Sequence, residues 1–253
     1  MKNLFQSNAD FRLIAGPCAI ESEIQLREIL NLECPPTFLR GGIYKMRTTP
    51  DSFQGLGQEA IELVSQLKKE FPLEFVTEIT DPRQIENLLP IVSCFQVGAR
   101  NMYNYELLKE LSKLKKPVIL KRGFSATVSE WLGAANYLAD LGEEKIILCE
   151  RGIRSFDTKL RNLLDLGTVI YLKHNHPFRV IVDPSHAMGK AKYIQDASLA
   201  ALAAGADGLI IEAHPCPHLA LSDADQAIDL SELSELIKKL KNLCPQFGRE
   251  LRI

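Results

Sequence analysis

At 253 residues the chain has the length of one α/β barrel and can bury a full core without disulfide staples. Its 46% hydrophobic and 25% charged residues exclude a disordered chain, and the lack of an apolar run of about 18 residues excludes a spanning helix. A net charge of −2 with no basic block excludes long-range attraction to nucleic acid or anionic lipid, so any anionic ligand must be gripped by a few converging cations.

The N-terminus lacks the basic, apolar and small-residue order of a signal peptide, so a cytoplasmic protein is expected. The six cysteines (Cys18, Cys34, Cys94, Cys149, Cys216 and Cys244) show no CxxC spacing and read as free thiols.

In chain order, eight short apolar or β-branched runs read as strands: 12–15, 37–40, 74–78, 94–97, 117–121, 145–149, 179–182 and 208–211. Helical spacing fills the intervals, as in Leu56, Ala60, Ile61, Val64 and Leu67, or Val128, Trp131, Leu132, Ala135 and Leu138. After the eighth run, residues 231–243 form a last amphipathic helix with Leu233, Leu236, Ile237, Leu240 and Leu243 on its apolar face. Regular alternation of this kind predicts a parallel sheet, either an open doubly wound sheet or a closed (β/α)8 TIM barrel. The barrel is favoured because the runs end in Cys18, Arg40 with Lys45, Glu78, Arg100, Lys121, Arg151, His186 and Glu212, and a barrel gathers all its strand ends on one face. A single domain over residues 1–253 is expected.

Two groups of residues carry chemistry. Cys18, His186, Glu212 and Asp223 are candidate ligands of a divalent ion; sulfur and nitrogen donors suit Mn, Fe, Zn or Co rather than calcium or magnesium. Individually, a lone cysteine is more often a small buried hydrophobe and a loop histidine is as often merely hydrogen-bonded; the four carry weight together. The second group is basic: Arg40, Lys45, Arg47, Arg100, Lys121, Arg122, Arg151 and Arg154. Any one would ordinarily sit on a solvated face. Their position after strand ends, on a net-negative chain, points to ligands bearing phosphate and carboxylate groups.

The motifs resemble those of the 3-deoxy-D-arabino-heptulosonate 7-phosphate (DAHP) synthases, in particular the short type I-beta branch. The resemblance rests on Gly16-Pro17-Cys18-Ala19-Ile20-Glu21-Ser22, Arg40-Gly41-Gly42, Lys45-Met46-Arg47-Thr48-Thr49-Pro50 and Gly98-Ala99-Arg100-Asn101-Met102. It continues through Leu120-Lys121-Arg122-Gly123, Cys149-Glu150-Arg151-Gly152-Ile153-Arg154, Val182-Asp183-Pro184-Ser185-His186 and Ala220-Leu221-Ser222-Asp223. It implies a transferase that condenses phosphoenolpyruvate with erythrose 4-phosphate, the first step of the shikimate pathway. It further implies a metal held by Cys18, His186, Glu212 and Asp223, phosphoenolpyruvate held by Arg40, Lys45, Arg100, Lys121 and Arg151, and a sugar phosphate held by Arg47 and Thr48. Met46 and Thr49 stand where the family usually has proline and serine.

Lys45 is the candidate for proton transfer, with its pKa lowered by neighbouring arginines or with a purely electrostatic role. Glu78 is expected to orient water or a lysine, or to form a loop salt bridge. Two rivals remain: the related synthase that uses arabinose 5-phosphate, and a non-catalytic barrel that senses phosphorylated metabolites. The single residue between Lys45 and Arg47 favours the four-carbon sugar, and retention of all four ligand candidates favours catalysis. The resemblance also implies a homodimer or homotetramer. With the first strand starting near Phe11, no separate regulatory domain is expected, nor sensitivity to aromatic amino acids or chorismate.

Overall fold

The computed structural model describes residues 4–46, 49 and 51–253. Eight parallel strands alternate with helices: β1 (Asp10–Gly16), α1 (Glu23–Leu30), β2 (Phe38–Arg40), α2 (Gln58–Glu70), β3 (Glu74–Ile79), α3 (Ile85–Leu88), β4 (Cys94–Val97) and α4 (Tyr105–Ser112). There follow β5 (Val118–Lys121), α5 (Val128–Asn136), β6 (Ile146–Glu150), α6 (Leu166–Asn175), β7 (Arg179–Val182), α7 (Pro184–Met188), α8 (Ile194–Ala203), β8 (Gly208–Glu212) and α9 (Leu230–Leu243). Each strand pairs in parallel with the next, and β1 pairs with both β8 and β2, which closes the sheet into a (β/α)8 barrel. Among the described residues no helix is long and apolar enough to cross a membrane.

The runs at 94–97 and 179–182 coincide with β4 and β7, and the other six differ from their strands by one or two residues at an end. Leu56 lies outside α2, because Gly55 and Gly57 take φ of 91° and 56°, which holds the chain out of the helix until Gln58. Except at α3 and α8, the other helix starts carry a side-chain cap. Thr127 before α5 and Asp229 before α9 each form reciprocal bonds with a glutamate three residues on.

A ninth strand, β9 (Glu250–Arg252), pairs with Asp10–Arg12 of β1 and was not foreseen. Glu250 is exposed and Leu251 and Arg252 are only partly buried, and three residues are too few for a periodic pattern to announce a strand. It lies at the N-terminal end of the barrel, where Leu4 is buried against the barrel interior and its carbonyl accepts from Arg12 Nε at 2.8 Å.

The apolar core has two parts. Inside the barrel, Ile14, Phe38, Val76, Cys94, Ile119, Ile147, Cys149, Ile181 and Ile210 fill the lumen, while residues of opposite parity such as Leu13, Leu39, Phe75, Phe95 and Leu148 pack under the helices. The same parity sends Lys121 inward and Arg122 outward. Arg122 pairs with Glu150 at 3.0 Å and Asp165 at 2.9 Å beneath the Trp131 ring, so it belongs to the wall and not to the cationic rim expected of it. Because Glu150 is fully buried, Arg122→Met should cost about 3 to 5 kcal/mol in denaturant unfolding by leaving an uncompensated charge. Steady-state kinetics of the folded variant should show KM values near wild type; a large KM change would return Arg122 to the site.

Candidate active site

Side chains alternate across the barrel wall, so the residue two positions beyond each lumen-filling residue must also face inward. Phe38 is followed in this way by Arg40, Val76 by Glu78, Cys94 by Gln96, Ile119 by Lys121, Cys149 by Arg151, Ile181 by Asp183 and Ile210 by Glu212. On β1 the sequence Ile14, Gly16, Cys18 continues the pattern. Gly16 is required there, since a Cβ would collide with the Arg40 carbonyl oxygen. A polar layer therefore caps the apolar lumen at the C-terminal end of the strands.

The four candidate ligands meet in this layer. One donor atom from each of Cys18, His186, Glu212 and Asp223 lies within 4.8 Å of the other three. Metal–ligand bonds of about 2.0 to 2.3 Å place opposed donors roughly 4 to 4.6 Å apart, so one divalent ion fits the span. Glu212 Oε1 is buried at 3.2 Å from Arg40 and 3.3 Å from His186 Nε2, yet no hydrogen bond is directed at it. A bound cation would satisfy that oxygen. The Cys18 thiol is pushed up to about 12 by burial and by the charges of Glu212 and Asp223. It needs a cation to ionise, as a metal-bound thiol does.

His186 is aimed by Asp183, which the sequence reading did not single out. Asp183 caps α7 by accepting from the His186 backbone N–H at 2.9 Å and meets His186 Nδ1 at 2.7 Å. Burial keeps the imidazole pKa below its ordinary value, so Nδ1 carries the proton and Nε2 keeps a lone pair toward Glu212 and Cys18. The same carboxylate takes Lys121 Nζ at 2.6 Å. Burial would raise the Asp183 pKa, but His186 and Lys121 outweigh it and hold the carboxyl well below the usual range.

Beside this cluster opens a pocket of about 220 Å³, below the size usual for drug-sized ligands and suited to small metabolites. Arg40, Lys45, Arg100, Lys121, Arg151 and Arg161 line it, together with Glu78, Gln96, His186 and Asp223. Phe124 forms part of its wall, with the guanidiniums of Arg151, Arg154 and Arg100 at 4.7, 5.4 and 5.5 Å from the ring centroid. The ring thus spaces three like charges, although Arg154 itself does not line the pocket. Arg40 Nη1 is buried with no acceptor, an orientation that awaits an anion.

Lys45 donates to Cys18 Sγ at 3.0 Å and to the Cys18 carbonyl at 3.1 Å. Its pKa is raised, against the lowered value that was one of the two expectations: burial depresses it, but its contact with Cys18 and the charges of Glu78 and Glu212 outweigh that effect. Arg40 is itself matched by Glu212 at 3.2 Å, a pairing that sequence order does not reveal. Glu78 lines the same pocket and contributes to the raised Lys45 pKa, and Gly98 leaves room for its carboxylate, which a Cβ would overlap. Met46 lines the pocket, while Arg47 and Thr48 lie outside the described residues.

Three site residues escaped the sequence reading. Gln96 and Asp183 were legible from strand parity, but Arg161 sits in an irregular loop after β6 with no periodic signal.

Fold and pocket define a (β/α)8 barrel enzyme that acts on small polyanionic metabolites. The profile of the DAHP synthetase I family matches residues 5–247, and the chain belongs to that family. It is 40% identical over 243 residues to the phospho-2-dehydro-3-deoxyheptonate aldolase of Thermotoga maritima, a match covering 95% of this chain and 72% of the relative. The crystal structure of that organism's DAHP synthase superposes with a TM-score of 0.91 at 39% identity, over 97% of this chain and 72% of the other. A 2-dehydro-3-deoxyphosphooctonate aldolase of Desulfotalea psychrophila is more distant, 28% identical over 94% of this chain and 91% of its own.

Proposed function

We propose that the chain condenses phosphoenolpyruvate with erythrose 4-phosphate and water to give DAHP and inorganic phosphate. The observation that carries this reading is the cation-lined pocket, with its partnerless Arg40 nitrogen, opening directly onto the Cys18, His186, Glu212 and Asp223 cluster. The greater similarity to a DAHP synthase than to an octulosonate synthase favours the four-carbon sugar.

In this reading Arg100, Lys121 and Arg151 grip the phosphate of phosphoenolpyruvate, and Arg40 with Lys45 takes its carboxylate. Arg47 and Thr48 take the sugar phosphate. Holding both anions at attack distance removes about 7 to 11 kcal/mol from a bimolecular barrier in favourable cases. Cys18, His186, Glu212 and Asp223 would hold a divalent ion, which would supply Lewis-acid chemistry for an aldehyde oxygen. C3 of phosphoenolpyruvate attacks the aldehyde carbon, and Lys45, protonated because of its acidic neighbours, delivers a proton to the developing alkoxide. Water adds at C2, the C2–O bond to phosphate breaks, and the ketone and inorganic phosphate leave. We further place the protein among cytoplasmic homo-oligomers, a dimer or tetramer that light scattering would identify.

An aldose panel with phosphoenolpyruvate tests the reading through phosphate release. Erythrose 4-phosphate should exceed arabinose 5-phosphate by at least about a hundredfold in kcat/KM, or about 2.7 kcal/mol. Equal rates would favour the octulosonate rival, and no release with any aldose would favour a sensor. Within the same assay Arg47→Ala should raise chiefly the KM for the sugar phosphate and Lys121→Ala that for phosphoenolpyruvate. Parallel effects on both substrates would refute this division of the rim.

A further inference from the structure

Gln226 is almost fully buried beside the cluster, and both ends of its amide are engaged. Its Nε2 donates to Glu212 Oε2 at 2.5 Å, and its Oε1 accepts from Arg161 Nη1. The orientation is fixed by chemistry: a guanidinium can only donate, so it takes the amide oxygen and leaves the NH2 for the carboxylate. The same Arg161 nitrogen reaches Asp223 Oδ1 at 3.1 Å. One arginine therefore restrains two carboxylates of the cluster, Asp223 directly and Glu212 through an amide.

The backbone holds this relay rigidly. The Ile228 N–H donates to the Glu212 carbonyl at 3.0 Å and the His214 N–H to the Ile228 carbonyl at 3.0 Å, which laces the Gln226 turn to the end of β8. Asp223 precedes that turn with φ of 54°, the only positive φ at a non-glycine position among the described residues. A left-handed aspartate costs free energy and persists only where its surroundings enforce it. On the other side, Asn162 beside Arg161 donates its backbone N–H to the Ala187 carbonyl at 3.0 Å and its side-chain Nδ2 to the His186 carbonyl at 2.9 Å. The arginine is thus anchored to the helix that carries His186.

We infer that Gln226 and Arg161 are positioning residues that tie up one oxygen of Glu212, so that the carboxylate offers a divalent ion only Oε1. This inference rests on the metal-site reading of the cluster. With Oε2 occupied, Glu212 is restricted to one bond, and the ion keeps a position for a substrate oxygen that a chelating carboxylate would fill. Residues in this supporting role typically contribute about 10- to 100-fold to metal affinity.

The test is titration of metal-free protein with Co(II), following the thiolate-to-cobalt charge-transfer band, the visible ligand-field bands and the Kd from chelator competition. Wild type should bind one equivalent with both sets of bands, and Cys18→Ser should lose the charge-transfer band. Absence of Co(II) binding by wild type would overturn the metal-site reading and this inference with it. Given that binding, Gln226→Met should keep the charge-transfer band, change the ligand-field spectrum as Glu212 is released from its fixed orientation, and raise Kd about 10- to 100-fold because the ligand is no longer held in place. A wild-type spectrum and Kd in Gln226→Met would overturn the inference while leaving the metal site intact. Should Gln226→Met not fold, Arg161→Met gives the same readout at a side chain 40% exposed to solvent, with Kd raised about tenfold and restored in part by Arg161→Lys. An unchanged Kd in Arg161→Met would count against the relay.

Discussion

Thoroughly chelated protein is expected to lose phosphate release by about a thousandfold or more, corresponding to the several kcal/mol of charge stabilisation a Lewis acid supplies. Manganese, iron, cobalt or zinc should restore it, and calcium should not, because Cys18 and His186 are poor partners for a hard cation. The donor atoms lie within 4.8 Å of one another and Glu212 Oε1 has no hydrogen-bond partner, so the cluster is arranged for a cation. Cys18→Ala should lower metal content and kcat while leaving the melting temperature of the metal-free protein close to wild type. Elemental analysis and turnover after chelation check both statements. Full activity without metal would refute the first, and wild-type metal content in the variant would make Cys18 a core thiol and nothing more.

The second large effect is expected at Asp183. This fully buried carboxylate neutralises Lys121 and orients His186, so Asp183→Asn removes the partner of a buried cation and the acceptor that fixes the imidazole tautomer. Leaving the Lys121 ammonium without its partner should cost about 3 to 5 kcal/mol of stability. Loss of the carboxylate behind a ligating histidine should weaken metal binding about 10- to 100-fold. Denaturant unfolding of metal-free protein isolates the first effect and chelator competition the second. A variant with wild-type unfolding and wild-type affinity would mean that His186 is positioned by packing alone.

Much of this site was legible in the sequence because parallel barrel strands write their burial into the chain. Runs such as 118–120 and 209–211 are apolar throughout, and the polar residue that ends each of these strands, Lys121 or Glu212, lies at the catalytic face. The four ligand candidates were found as donor types and proved to converge. Position after a strand end does not place Arg122 on the rim, because strand parity sends it to the face opposite Lys121. Of the two expectations for Lys45, the lowered pKa fails because the shift depends on Cys18, Glu78 and Glu212, three residues far apart in sequence. Arg161 and β9 left no periodic trace, and only tertiary contacts give them a role.

The two ends of the chain are fastened to each other on the face opposite the chemistry. The Glu250 N–H donates to the Ala9 carbonyl at 2.7 Å, and Arg249 reaches the Asn8 carbonyl at 2.7 Å. These bonds brace β1 from the side away from the rim, so the barrel's closure does not depend on the loops that carry the chemistry. A nick in the partly exposed 31–36 loop between α1 and β2 would leave that brace in place and keep every rim residue on its own strand, which makes this barrel a scaffold that can be opened at its edge without disturbing the site.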